Sequence, residues 1–325
     1  MPTSSSPTAS DSSCGRPWTH LYLSADCAHF CPLPQVGSLA HGLRLRKAHQ
    51  PWDYYTSVAG IYEEHSRYTA SEVGVGCAAD ACGSQRNCAC QEVARPAYST
   101  GTEMLDFLAV SITDYCRGNC IMCFQSSSTE SCTWIPEHVM DDLAAHAQAK
   151  VIHLIGGELF HLPERALHRY LDWAGKIGQR LEVTTAGDGF SKAVASRYPW
   201  NEVRFSIDVA APELFNTIRP GIDYTKTWAN LCDAVAILGD KVVVLITAMS
   251  LNLPQIPDLL WALRSCHVKR IRINPVFAGG RATGAVLAAL PGSEARQVGR
   301  EIRSFIEATQ GEGVTVEWPL LDRLL

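Results

Sequence analysis

From about residue 100 the chain alternates short apolar runs with longer segments whose apolar residues recur every three or four positions. The runs are Leu105–Ile112, Val151–Ile155, Leu181–Thr185, Val203–Ile207, Val242–Thr247 and Ile271–Asn274. A helical segment follows each, as in Pro136–Gln148, where Val139, Leu143 and Ala147 share one face. Pro136 and Glu137 suit the first turn of that helix, since proline needs no amide partner there and a carboxylate meets the positive end of the dipole. Such an alternation predicts repeated βα units on a parallel sheet. A seventh strand candidate, Val314–Trp318, comes last. Six βα units fall short of the eight in a closed TIM barrel. The fold class is α/β, and functional groups are expected at the C-terminal ends of the strands.

The first hundred residues have another character. Residues 1–13, rich in Ser, Thr, Pro and Asp, read as a disordered N-terminus. Residues 14–98 read as a cysteine-rich region and 99–325 as the βα domain. Within the former, Trp18–Leu23 alternates like a strand, and a helical stretch surrounds Trp52, Tyr54 and Tyr55. Seven cysteines fall there in two groups: Cys14, Cys27 and Cys31, then Cys77, Cys82, Cys88 and Cys90. Glycine, proline or serine near both groups supplies the tight turns of ligand loops. Of 13 cysteines in the chain, ten precede residue 124, too clustered for a disulfide framework and too many for a reduced compartment without a metal to bind.

Composition narrows the classes a little. With 46% hydrophobic and 19% charged residues the chain is an ordinary globular one, and 325 residues can bury a full core. A net charge of −5 with no basic block argues against nucleic acid as the main partner. No apolar run is long enough to cross a membrane and no signal peptide is visible, so a cytoplasmic location is expected.

The chemistry gathers behind the first run. Cys116, Cys120 and Cys123 have the spacing C-x3-C-x2-C. Three thiolates on one loop can hold three irons of a 4Fe–4S cluster and leave the fourth open, unlike the four-thiolate ligation of ferredoxins; the same trio could hold zinc or be buried thiols. Behind the second run stands Gly156-Gly157-Glu158, where two glycines permit close backbone approach and a carboxylate can accept from an ammonium or a hydroxyl. The two features at this separation resemble the radical S-adenosylmethionine (radical SAM) superfamily. That resemblance implies a partial (β/α)6 TIM-like barrel, a 4Fe–4S cluster on Cys116, Cys120 and Cys123, and S-adenosylmethionine on the open iron. It implies cofactor contacts from Gly156, Gly157 and Glu158 to the methionine amino group, and from Thr184, where many members carry Thr-Asn-Gly. Ser206 and Asp208 resemble the segment touching ribose and carboxylate, and Arg219 one whose arginine faces the carboxylate; Arg219 could equally be a solvated loop charge. Met122 stands where an aromatic residue is common and is expected beside adenine, and Val276 either stacks there or forms the barrel rim.

The order Cys-Gly, strand, Cys-x5-Gly-x-Leu, helix and cysteine-dense tail resembles the auxiliary-cluster domain called SPASM, or its shortened twitch form, here preceding the barrel. The resemblance implies one or two auxiliary 4Fe–4S clusters on Cys14, Cys31, Cys77, Cys82, Cys88 and Cys90; a zinc ribbon would use the same thiols. The implied activity is reductive cleavage of S-adenosylmethionine and hydrogen abstraction from a C–H bond of a small natural product. No leader-binding segment is evident, so analogy favours epimerisation of an aminoglycoside or amino sugar in antibiotic biosynthesis, with alcohol dehydrogenation or ribosomal-peptide modification as alternatives. Epimerisation needs a thiol donor. Cys132, just behind the cluster loop, is the visible candidate, although it could be a plain loop residue. The expected partners are the substrate and an external electron donor of flavodoxin or ferredoxin type. An iron–sulfur or zinc scaffold without catalysis is the non-enzyme alternative.

Overall fold

The computed structural model describes residues 20–24, 27–30, 103–123, 135–276, 281–282 and 292–318. Cys14, Cys31, Cys77, Cys82, Cys88, Cys90 and Cys132 lie outside them, as does the helix expected around Trp52. A hairpin of β1 (His20–Ser24) and β2 (Cys27–Phe30) precedes the repeats. Then follow β3 (Glu103–Ser111), α1 (Glu137–His146), β4 (Ala147–Ile155), α2 (Glu164–Ile177), β5 (Leu181–Thr185), α3 (Lys192–Arg197) and β6 (Trp200–Ser206). After β6 come α4 (Pro212–Ile218), α5 (Tyr224–Leu238), β7 (Val242–Ala248), α6 (Ile256–Ser265), β8 (Arg270–Pro275), α7 (Gly292–Thr309) and β9 (Thr315–Glu317). The sheet runs β2-β1-β3-β4-β5-β6-β7-β8-β9, antiparallel between β1 and β2 and parallel elsewhere. Among the described residues β2 and β9 are the two edges of the sheet, which holds six βα units followed by a seventh strand. All six expected strands and the late seventh are present.

One boundary moved. The helix expected to reach Gln148 stops at His146, and Ala147 already belongs to β4. Ala147 fits both periods, but fully buried Ala147 and Ala149 alternate with exposed Gln148 and Lys150, which is a strand pattern.

The two faces of the sheet differ sharply. Leu108 and Val110, Ile152 and Leu154, Val183, Val203 and Phe205, Val244 and Ile246, and Ile271 and Ile273 share the face beneath the helices and are fully buried or nearly so. Helix α2 answers with Leu167, Tyr170, Leu171, Ala174 and Ile177 at helical spacing. The opposite, inward face is polar: His153, Glu182, Thr184, Glu202, Arg204, Arg270 and Arg272 occupy paired positions across β4 to β8. Arg204 reaches Glu182 at 2.6 Å, Glu202 and the His153 ring, and Arg270 reaches Glu202 at 2.7 Å. A closed TIM barrel fills this space with layers of branched apolar side chains. Here ion pairs fill part of it, which leaves polar groups facing whatever enters.

Candidate active site

The loop after β3 is fixed mostly by backbone contacts from other strand ends. Glu158 N donates to Tyr115 O at 2.8 Å, Asn119 N to Pro220 O at 2.7 Å, and Ile121 N to Ile218 O at 3.0 Å. Arg281 closes the other end, its N donating to Cys123 O and its Nε to Cys120 O, both at 2.9 Å. Gly118 N points at Cys116 Sγ, 3.3 Å away. Cys116, Cys120 and Cys123 are thereby held on one short stretch, each partly buried. Burial, then the nearby Glu158 carboxylate, pushes the Cys116 thiol up to about 12. Burial raises Cys120 too, against the pull of the Arg219 guanidinium.

The glycines of Gly156-Gly157-Glu158 serve this packing directly. Gly157 sits at φ +47°, where a Cβ would lie 2.5 Å from Tyr115 O and 2.6 Å from Thr113 O. Gly156, at φ +85°, is pressed against Ser111. Gly157 thus makes its close approach to the cysteine loop itself, and Gly156 to the end of β3 just before it. Glu158 is buried and already holds three donors: Thr185 Oγ1 at 2.7 Å and Phe160 N at 3.2 Å on Oε1, and Ala186 N at 2.5 Å on Oε2. A carboxylate offers about four acceptor positions, so little capacity is left for a ligand ammonium. Its main visible task is to clamp the end of β5 to the loop after β4.

Asp208 and Arg219 form a second knot. Asp208 Oδ2 accepts from Arg219 Nε at 2.6 Å, and Oδ1 from Thr247 N at 2.7 Å. Asn252 Nδ2 donates to the carbonyls of Asp208 and Thr247, at 2.8 and 3.0 Å. Arg219 is 7% exposed and sends its other arm to within 3.9 Å of Cys120 Sγ. Burial alone would weaken its charge, but Asp208 and Cys120 raise its pKa. The solvated-loop reading of Arg219 is therefore corrected: it is a buried cation bound to Asp208 beside the thiols.

The remaining expected residues divide. Met122 and Val276 pack, with Cys120 and Ile121, on the small apolar cluster of Ala186, Val209, Phe215, Ile218, Ile222, Met249 and Ala282. This is an apolar wall beside the cysteine loop, where an aromatic ring can be covered. Ser206 ends β6 on the inward face, in register with Leu245. Thr184 also faces inward, but to His153 Nε2 at 2.9 Å, below the loop; the residue that meets Glu158 is Thr185. Burial and the Arg204 charge hold His153 well below its ordinary value, so it is a neutral member of the inward network.

A trio of thiols flanked by the cations Arg219 and Arg281 suits a thiolate-ligated cluster, whose negative charge those guanidinium groups offset. Among the described residues no three His, Cys, Asp or Glu side chains, these thiols included, are gathered closely enough to hold a metal ion.

No protein-family model matches the sequence, and no curated protein matches it. Solved structures do match. Native anSMEcpe with bound AdoMet is similar with a TM-score of 0.53 and 14% identity, over 68% of this chain and 65% of that one. SuiB of Streptococcus suis bound to S-adenosylmethionine is similar with a TM-score of 0.50 and 13% identity, over 66% of this chain and 51% of that one. The chain shares the fold of these two structures. At these identities the likeness concerns fold alone, and the chain spans between 51% and 65% of the two structures' lengths.

Several residues that frame the cysteine loop carried no sequence signal strong enough to single out. Arg281 holds the loop directly, whereas Thr185 and Asn252 hold Glu158 and Asp208 behind it. His161 and Asp188 bond each other at 2.8 Å and reach Arg117. A parity argument could have found Thr185, because it shares the face of buried Leu181 and Val183 while Thr184 shares that of Glu182.

Among the described residues no helix is long and apolar enough to cross a membrane.

Proposed function

We propose that this chain is a radical SAM enzyme, with Cys116, Cys120 and Cys123 holding a 4Fe–4S cluster that leaves one iron for S-adenosylmethionine. The observation that carries the reading is the joining of the cysteine loop to Gly156-Gly157-Glu158 through Tyr115 O, with Arg219 beside Cys120. When bound, the cluster supplies the electron that cleaves the sulfonium and so the 5′-deoxyadenosyl radical that abstracts a substrate hydrogen. The chain's own residues bind and orient. Arg219, charged at any working pH and tied to Asp208, offers a cation for the methionine carboxylate. Met122 and Val276 cover the adenine. The Glu158 clamp keeps the loop from swinging away. Anaerobic reconstitution tests this: about four irons per chain from the first site, followed by 5′-deoxyadenosine from S-adenosylmethionine and dithionite. A chain that takes up zinc alone, or that loads iron and yields no deoxyadenosine, sinks it.

The finer reading is epimerisation of an aminoglycoside or amino sugar. Its support is the uncharged polar set Ser111, Thr184, Ser206, Thr247 and Asn274 at the inward ends of β3, β5, β6, β7 and β8, which suits a substrate rich in hydroxyl and amino groups. Cys132 is the proposed hydrogen donor. Cys14, Cys31, Cys77, Cys82, Cys88 and Cys90 are the proposed ligands of one or two auxiliary clusters in a region at 14–98, and a small iron–sulfur or flavin protein the proposed electron source. Deuterium from solvent in the product marks an epimerase; a product two hydrogens lighter marks the dehydrogenase. Peptide modification is the second reading, favoured by similarity to SuiB bound to precursor peptide SuiA, with a TM-score of 0.50, and to anSMEcpe with bound Cp18Cys peptide, with 0.51.

A further inference from the structure

We propose that His161, oriented by Asp188, is a positioning residue that sets the cluster-loop backbone beside Cys116. His161 ends the short 3-10 turn Leu159–His161 that follows Glu158, and Asp188 lies in the loop after β5. Their side chains are 0% and 2% exposed. His161 Nδ1 lies 3.2 Å from Arg117 N. A backbone N–H can only donate, so Nδ1 accepts and carries no proton. The proton is then on Nε2, which donates to Asp188 Oδ1 at 2.8 Å. Asp188 Oδ2 faces two more donors at 3.4 Å, the Arg117 guanidinium and Asp223 N. One buried dyad thus holds Arg117 by main chain and side chain together, and ties in the start of α5.

The position of that grip gives it its role. Tyr115 O is held by Glu158 N, and Asn119 N by Pro220 O. Cys116 lies between these anchors, and Gly118 N points at its sulfur. The tie of Arg117 N to His161 therefore fixes the peptide plane that joins Cys116 to Arg117, and with it the direction of Cys116 Sγ. Partners outside the ligand set orient metal ligands and tune the centre, and His161 would act so through the backbone next to Cys116.

For the cluster itself the proposal rests on the functional reading above; for the loop it does not. The test uses the full chain. Gln at 161 can still reach Asp188 but leaves Arg117 N without its acceptor, whereas Asn places an oxygen where Nδ1 stood. Amide exchange at Arg117 in the iron-free chain is expected to be about tenfold faster in H161Q, the loss of one hydrogen bond to a buried partner, and near wild type in H161N. After reconstitution, the electron paramagnetic resonance g values of the reduced cluster are expected to shift in H161Q and to return in H161N. Exchange within twofold of wild type and unchanged g values in H161Q would overturn the proposal, as would H161N behaving like H161Q. If H161Q fails to fold by circular dichroism, D188N takes its place, and unchanged exchange at Arg117 overturns the proposal there. A wild-type chain that takes up no iron defeats the functional reading, while exchange in the iron-free chain still decides the positioning.

Discussion

Replacing Gly157 by alanine isolates the contact on which the site depends. The added methyl would stand 2.5 Å from Tyr115 O, 2.6 Å from Thr113 O and 3.0 Å from Asp114 C, while ordinary contact begins at 3.4 Å. All three are backbone atoms, so no side chain can rotate out of the way. A left-handed residue with a Cβ costs about 1–2 kcal/mol, and forcing atoms into a packed space adds about 1–3 kcal/mol. G157A is therefore expected to lose about 2–5 kcal/mol. Gly313 supplies the control. It is left-handed at φ 71° and ψ 21°, and a Cβ there meets nothing within 4 Å. G313A should lose only the conformational part, about 1–2 kcal/mol. Urea unfolding of the iron-free full chain measures both losses, and their difference is the crowding against the cysteine loop. Iron per chain after reconstitution should fall in G157A and stay at the wild-type level in G313A. Equal losses of stability with equal iron would refute the claim that Gly157 is required by its contact with the loop.

Other substitutions probe the charges. R219M leaves Asp208 buried without its partner and should lower the stability of the iron-free chain by about 3–5 kcal/mol in urea unfolding. Exchanging Cys116, Cys120 and Cys123 together for alanine should remove about four irons per chain and all deoxyadenosine formation, leaving only iron held elsewhere. Asp188 and Glu158 predict opposite pH trends. Burial would raise Asp188, but the hydrogen bonds from His161 and Asp223 N and the Arg117 charge outweigh it and hold its pKa below the ordinary 3.8. Its contribution is present above 3.8 and lost as pH falls through the lower folded value, so D188N should flatten the acid limb of a stability–pH curve. Burial raises Glu158 above 4.5 despite its donors, so its contribution is fullest below 4.5 and declines as pH rises towards the folded value; E158Q should remove that decline.

The βα repeat was legible because its strands are covered by helices, and an apolar run bounded by helical segments has few other readings. Seven strands came through with ends shifted by a residue or a few. The α1–β4 junction did not, because Ala147 satisfies both a helical and a strand period and no turn residue separates the two elements. The cysteine spacing was legible for a simple reason: its meaning is local. What holds those cysteines is not local. The hydrogen bonds from Thr185 and Ala186 to Glu158 span 27 and 28 residues, Asn252 to Asp208 spans 44, and Arg281 to Cys120 spans 161. Each joins groups at strand ends or in loops far apart in the chain, where sequence alone leaves the partner open. The ionic interior was missed as a whole, because Glu182, Glu202 and Arg204 look like surface charges until register places them on the inward face.

Three cysteines on a loop bind a cluster more tightly the more the loop is restrained before iron arrives, since a loose loop loses conformational entropy on binding. In this chain the restraint comes from the strand ends around the loop. The loop after β4 holds Tyr115, the α4–α5 connection holds Asn119 and Ile121, and Arg281, after β8, holds Cys120 and Cys123. Glu158 and Asp208 act one layer further out, clamping the end of β5 and the end of β7. Letters that would be assigned to cofactor contact from the motif alone thus have a prior structural use, and the two uses are separable. A substitution that weakens cofactor contact only should raise the S-adenosylmethionine concentration needed and leave iron content alone. One that loosens the frame should lower iron content in the absence of S-adenosylmethionine. For Gly157, Glu158 and Asp208 the geometry commits to the second outcome; for Met122 and Val276, which pack on the apolar wall and hold no part of the loop backbone from another strand, it commits to the first.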